Sequence, residues 1–143
     1  MVKTTNREVW EAFEAMAMLV NRGWKSGKIA LALGKTFRRL REKREDIDQA
    51  RTALLAEYAA RSEDGGFAKE TSGDVRLRDP IAFNEAWREL LEQPVEVEVF
   101  PVKMKTVEEA KVQLTAFQYE ILTNFGILED GKPEEKGKKD TTG

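Results

Sequence analysis

The sequence predicts a mainly α fold with a small β element, an α+β protein built on a long antiparallel helical hairpin with additional helices packed against it. Three observations carry that reading. Leu33, Leu40, Ile47 and Leu54 recur every seven residues between Ser26 and Ser62, the seam of one long amphipathic helix. Val9, Phe13, Met16 and Val20 share a face in the segment before it, across a connection short enough to make the two helices antiparallel neighbours. Val95, Val97 and Val99 alternate with Glu96 and Glu98, the period of a strand.

Thr5 and Glu8 have the spacing of a capping box at the start of helix one, which runs to Arg22 with Trp10, Ala17 and Leu19 widening its apolar stripe. Gly23 is placed to end it in the left-handed conformation, and Ser26 to cap helix two. At ~1.5 Å per residue helix two is roughly 50 Å long, so more than one later segment has to pack along it. Beside its seam the row reads Phe37, Arg44, Arg51, Tyr58, so the middle of the helix is either half exposed or paired with carboxylates. Arg38 with Glu42, Arg41 with Glu45 and Arg44 with Asp48 lie one turn apart, each pair worth about 0.2 to 0.5 kcal/mol.

Beyond Tyr58 the periodicity stops. Asp64-Gly65-Gly66 and Ser72-Gly73-Asp74 are turn signals flanking weak strand candidates at Phe67–Glu70 and Val75–Arg78, so this stretch is either a small exposed hairpin or a mobile loop. Asp79-Pro80 starts helix three, whose apolar face is Phe83, Trp87, Leu90 and Leu91. Pro94 opens the strand, and at Phe100-Pro101 its phase changes, since proline cannot donate to a ladder. One strand needs a partner, to be found in residues 67–78, in the Val102–Lys105 arm, or in another subunit. Thr106 with Glu109 has the spacing of another capping box, and Val107, Ala110, Leu114, Phe117, Ile121 and Phe125 keep helical spacing to Gly126. Thr115 with Gln118 offers a cap inside that run, so a corner there would make two helices of it. The chain is thus read as a single helical domain with a small β element over 1–128 and a disordered tail over 129–143.

Composition narrows function mainly by exclusion. Cysteine and histidine are both absent, which removes disulfides, thiolate and imidazole metal ligands, and Ser-His-Asp or Cys-His machinery within this chain. Charged residues make up 35% of the 143, but the net charge is only -2, without the global positive field of a nucleic-acid binder. Lys35, Arg38, Arg39, Arg41, Lys43 and Arg44 form the one dense basic run, yet Glu45, Asp46 and Asp48 follow it and no aromatic residues interleave to stack bases. Gly65-Gly66 lacks the Gly-Lys-Ser/Thr ending of a phosphate-binding loop. Catalysis would have to rest on Glu96 and Glu98, ~6.5 to 7 Å apart along the strand, and alternating glutamates on such a strand are ordinarily its wet face. No cofactor or metal is expected, and the chain is read as non-enzymatic. It has no window of the roughly 18 apolar residues that a membrane span needs, and a cytoplasmic location is expected.

Several motifs taken together resemble a known group. Lys28-Ile29-Ala30, Ala50-Arg51, Leu54-Leu55 and Tyr58 on the long helix precede the Asp64-Gly65 turn and Phe83-Asn84-Glu85. Glu89-Leu90-Leu91, Val95-Glu96-Val97-Glu98-Val99 and Leu114-Thr115-Ala116 follow. Over roughly Lys28 to Leu128 the chain resembles small proteins of tailed bacteriophages and prophages, the Glu-Leu-Leu to Val-Glu-Val-Glu-Val passage being the most specific piece. The resemblance implies a helical hairpin followed by a small strand element and a terminal helix, and carries over no functional residue. It implies an accessory protein that binds a host or phage protein in the host cytoplasm. Sequestration of a small signalling molecule, a virion assembly role, and contact with nucleic acid or the transcription machinery through the basic run are the alternatives. The candidate interaction surface is Arg38, Arg39, Arg41 and Arg44 with Val95, Glu96, Val97, Glu98 and Val99, and a homo-oligomer completed through the strand is a further expectation.

Overall fold

The computed structural model describes residues 1–129, and its fold is mainly α with a small β element. Its spine is the expected hairpin of α1 (Asn6–Val20) and α2 (Gly27–Tyr58). Thr5 caps α1 by accepting from the Glu8 N–H at 3.3 Å, but the box is only half made, because the Glu8 carboxylate takes the Thr4 hydroxyl instead. α1 stops short of Gly23, which is not left-handed: Asn21 is the C-cap, and the Trp24 indole N–H folds back to the Leu19 carbonyl at 2.9 Å. Ser26 caps α2 as expected, accepting from the Ile29 N–H. The helices run antiparallel: Phe37 stacks on Phe13 with ring centroids 4.9 Å apart, while Arg44, further along α2, reaches Trp10, further back on α1.

The core lies where α1 covers α2. Val9, Ala12, Met16 and Leu19 meet Leu33, Leu40 and Ile47, all essentially inaccessible. Leu54, the fourth seam residue, is only half-buried and stands outside this cluster. There α3 (Pro80–Glu92) takes over, capped by Asp79, which accepts from the Ala82 N–H at 3.1 Å. Phe83 meets Tyr58 edge-to-face and Trp87 meets Trp10 the same way, at 6.4 and 5.8 Å between centroids. The two arginines beside the seam therefore face indoles: Arg44 lies 3.4 Å from the Trp10 centroid and Arg51 5.5 Å from that of Trp87. Arg44 does have a carboxylate nearby, Asp48 at 3.7 Å, but that is beyond hydrogen-bond reach, and among the described residues its buried Nε has no hydrogen-bond partner.

The strand finds its partner in a place the sequence reading did not consider. β2 (Pro94–Val97) pairs antiparallel with β1 (Val2–Thr5), Val2 opposite Val97 and Thr5 opposite Pro94. The Val102–Lys105 arm and residues 67–78 are engaged elsewhere. β3 (Val102–Lys103) pairs in parallel with β4 (Leu128–Glu129), so Glu129, expected to begin the tail, ends a strand, and the remainder of that tail lies outside the described residues. At the phase change, the buried Thr36 hydroxyl accepts from the Phe100 N–H at 2.9 Å and is 3.5 Å from its carbonyl, so Phe100 is satisfied within the chain. α4 (Met104–Glu109) starts at Lys103 without a side-chain cap, so the Thr106 and Glu109 box is not formed. The corner does occur: Lys111 has φ 57°, and Thr115 and Gln118 exchange both bonds of a capping box to start α5 (Ala116–Asn124). α5 packs on α1 rather than on the long helix; Leu122 is its buried anchor, while Phe117, expected on the apolar face, is 60% exposed.

Residues 58–78 are an ordered β knob at the far end of α2. Ala60 N–H donates to the Arg76 carbonyl, Arg76 N–H to Ala68, and Ala68 N–H to Ala60, closing three short strands on themselves at 2.8 to 2.9 Å. Ser62 to Gly66, Glu70 to Asp74 and Arg78 to Tyr58 repeat the same donation one step along, every eight residues. Gly65 and Gly73 sit at equivalent turns with φ of +89° and +94°, the left-handed conformation that glycine adopts without steric cost. The closed arrangement leaves little free edge, which is how so small an element holds.

Candidate interaction surface

The basic run does not form a single face. Rise and period split it, because a helix advances ~6 Å in four residues and a strand ~6.6 Å in two. Lys35, Arg39 and Lys43 therefore step along α2 in time with Phe100, Glu98 and Glu96. Lys35 Nζ stands 5.2 Å from the Phe100 ring centroid, Arg39 Nε is 3.4 Å from Glu98 Oε1, and Lys43 shares an open groove of about 460 Å³ with Met1, Lys3, Pro94, Val95 and Glu96. Arg38 and Arg41 remain exposed to solvent, whereas Arg44 points into the hairpin with its side chain 19% exposed. Arg44 is thus removed from the surface that the sequence assigned it to, because its position next to the seam puts it over Trp10.

The strand is divided in the same way. Glu96 and Glu98 are exposed, Val95 and Val99 pack half-buried against the core, and Val97 is 1% exposed. Val97 cannot be a contact residue for a partner, and the strand does not lack a neighbour, since β1 supplies it. The structure does bring together Arg39 with Glu98, and Lys43 with Glu96, from segments more than fifty residues apart. Arg39 also lies 3.9 Å from Glu42 on its own helix, so it has carboxylates on two sides.

Lys3 is the surface residue that sequence reasoning missed, and Lys43, named in the basic run, was not assigned to the surface shared with the strand. The signal for Lys43 was present, four residues after Arg39 and eight after Lys35; that for Lys3 was not, because Val2–Thr5 is too short to show a period. Among the described residues no group of three or more carboxylates is placed to hold a metal ion, and no helix is long and apolar enough to cross a membrane. Comparison with protein-family models, curated proteins and solved structures gives no match.

Proposed function

We propose that the chain is a small phage or prophage accessory protein that acts without catalysis, by binding a host or phage protein in the host cytoplasm. The observation supporting this is the Arg39 to Glu98 contact at 3.4 Å, both side chains still about half exposed, which joins the cationic row of α2 to the acidic side of β2 and the residue after it in one surface of mixed sign. Such a surface suits another protein better than a phosphate backbone, which would be repelled by Glu42, Glu96 and Glu98. Among the described residues the β1–β2 sheet has two strands, which leaves outer edges where an extended partner segment could pair. Glu98 engaged by Arg39 serves recognition rather than proton transfer in this reading.

The test is capture from bacterial extract by immobilised protein, followed by mass spectrometry and cross-linking from Lys43. Arg38→Glu with Arg41→Glu, and separately Glu96→Lys, should each weaken binding of the captured protein by at least about tenfold with far-ultraviolet dichroism unchanged. Capture indifferent to both variants places the interface elsewhere. Salt-dependent submicromolar binding of DNA or RNA, lost in the arginine variant, would replace this reading with a nucleic-acid one.

A further inference from the structure

The crevice between α1, α2 and α3 shares no residue with the surface above and is built differently. It measures about 370 Å³ and is lined by Arg7, Trp10, Glu11, Arg51, Trp87 and Leu91. The two indoles stand at 84° to one another, so a planar ring stacked on one presents its edge to the face of the other, an arrangement aromatic groups prefer. Arg51 is exposed, rests 5.5 Å from the Trp87 centroid, and among the described residues has no carboxylate within 4.0 Å, so the N–H fork of its guanidinium is unengaged. Arg7 is held at the mouth by Glu92, 2.9 Å from its Nη2.

Packing explains why Trp10 and Trp87 are there, since they fasten α3 to the hairpin. The cation–π contact with Trp87 accounts for the position of Arg51, and among the described residues it leaves the N–H groups of the guanidinium without an acceptor. We infer that this crevice binds a free nucleoside phosphate, the base on the indoles and the phosphate on Arg51. Aromatic faces accept any base, and a guanidinium holds phosphate through two parallel hydrogen bonds. Glu11 also lines the crevice and is an acceptor for the N–H groups of a base. The volume falls within that of small-ligand pockets, roughly 300 to 1,000 Å³.

The experiment follows the indole N–H resonances of the full chain during titration with adenosine and uridine monophosphate. Trp10 and Trp87 should shift saturably below about 1 mM, a weak affinity by the usual scale, while Trp24 stays still. Arg51→Gln should weaken binding on the order of tenfold, Arg41→Gln should not change it, and adenosine or inorganic phosphate alone should each bind at least about tenfold more weakly than the nucleotide. Unmoved indoles, undiminished binding in Arg51→Gln, phosphate binding as tightly as the nucleotide, or binding confined to single-stranded oligonucleotides would each overturn the inference.

Discussion

The two ends of α2 are held by different physics. Leu33, Thr36, Leu40 and Ile47, its buried residues, all lie in the first two-thirds, under α1 and the strand arm. The last third has none, and there Arg51 covers Trp87, Tyr58 meets Phe83, and the knob closes on backbone hydrogen bonds. One end rests on apolar area removed from water, the other on directional contacts that are each worth less. The heptad runs unbroken through both, which teaches that a continuous seam marks a continuous helix and not a continuous core.

The largest effect that could break this contrast is the matched pair Leu40→Ala and Leu54→Ala. Leu40 is fully buried and should cost about 2 to 5 kcal/mol. Leu54, half-buried, should cost clearly less, below about 2 kcal/mol. Equal shifts of the denaturant midpoint would show that the two ends are packed alike. A smaller effect belongs to Gly73→Ala, where a side chain at φ +94° costs about 1 to 2 kcal/mol. That loss should appear as faster amide exchange at Ala68 and Arg76 with α1 protection unchanged; loosening of α1 as well would mean that the knob and the hairpin unfold as one unit.

The smallest effect is electrostatic. Hydrogen bonds from the Ser62 hydroxyl and then the Gly66 N–H hold the Asp64 carboxyl below the ordinary value of 3.8. A lowered folded-state pKa means that the ionised form is favoured by folding, so its contribution is present above the ordinary value and is lost as pH falls through the lowered one. The Gly66 amide resonance should therefore titrate below pH 3.8 in the wild type and stay flat in Asp64→Asn, while Thr36 and Leu40 resonances do not move with it. A Gly66 titration at or above 3.8 would remove the knob from this account.

The helices were legible because their cause is local. Leu33, Leu40 and Ile47 recur at the right period, Ser26, Asp79 and Thr115 cap where they stand, and Pro80 sits at a first turn. The sheet was not, since pairing Val2 with Val97 is a statement about three-dimensional closure that neither stretch announces. The same holds for Thr36, a threonine in a helix whose significance lies in the backbone of Phe100, and for Arg44, whose neighbours Trp10 and Phe13 come from another helix. The knob was readable in principle: Gly65 and Gly73 mark an eight-residue repeat that separate turn signals conceal. Of the candidate surface, Arg38, Arg39, Arg41, Glu96 and Glu98 lie outward, whereas Arg44 and Val97 needed tertiary context to be assigned inward.

The pairing of β1 with β2 also sets an order of events during synthesis. Thr5 is opposite Pro94, so at ~5 to 20 residues per second roughly 5 to 20 s separate translation of the first strand from that of the second. The α1–α2 hairpin is complete in sequence by Tyr58 and can begin to form in that interval, on a timescale far below a second for contacts of short range. The N-terminal strand waits on the nascent chain unpaired until β2 is made, and only the β3–β4 pair with α4 and α5 complete the described fold after it.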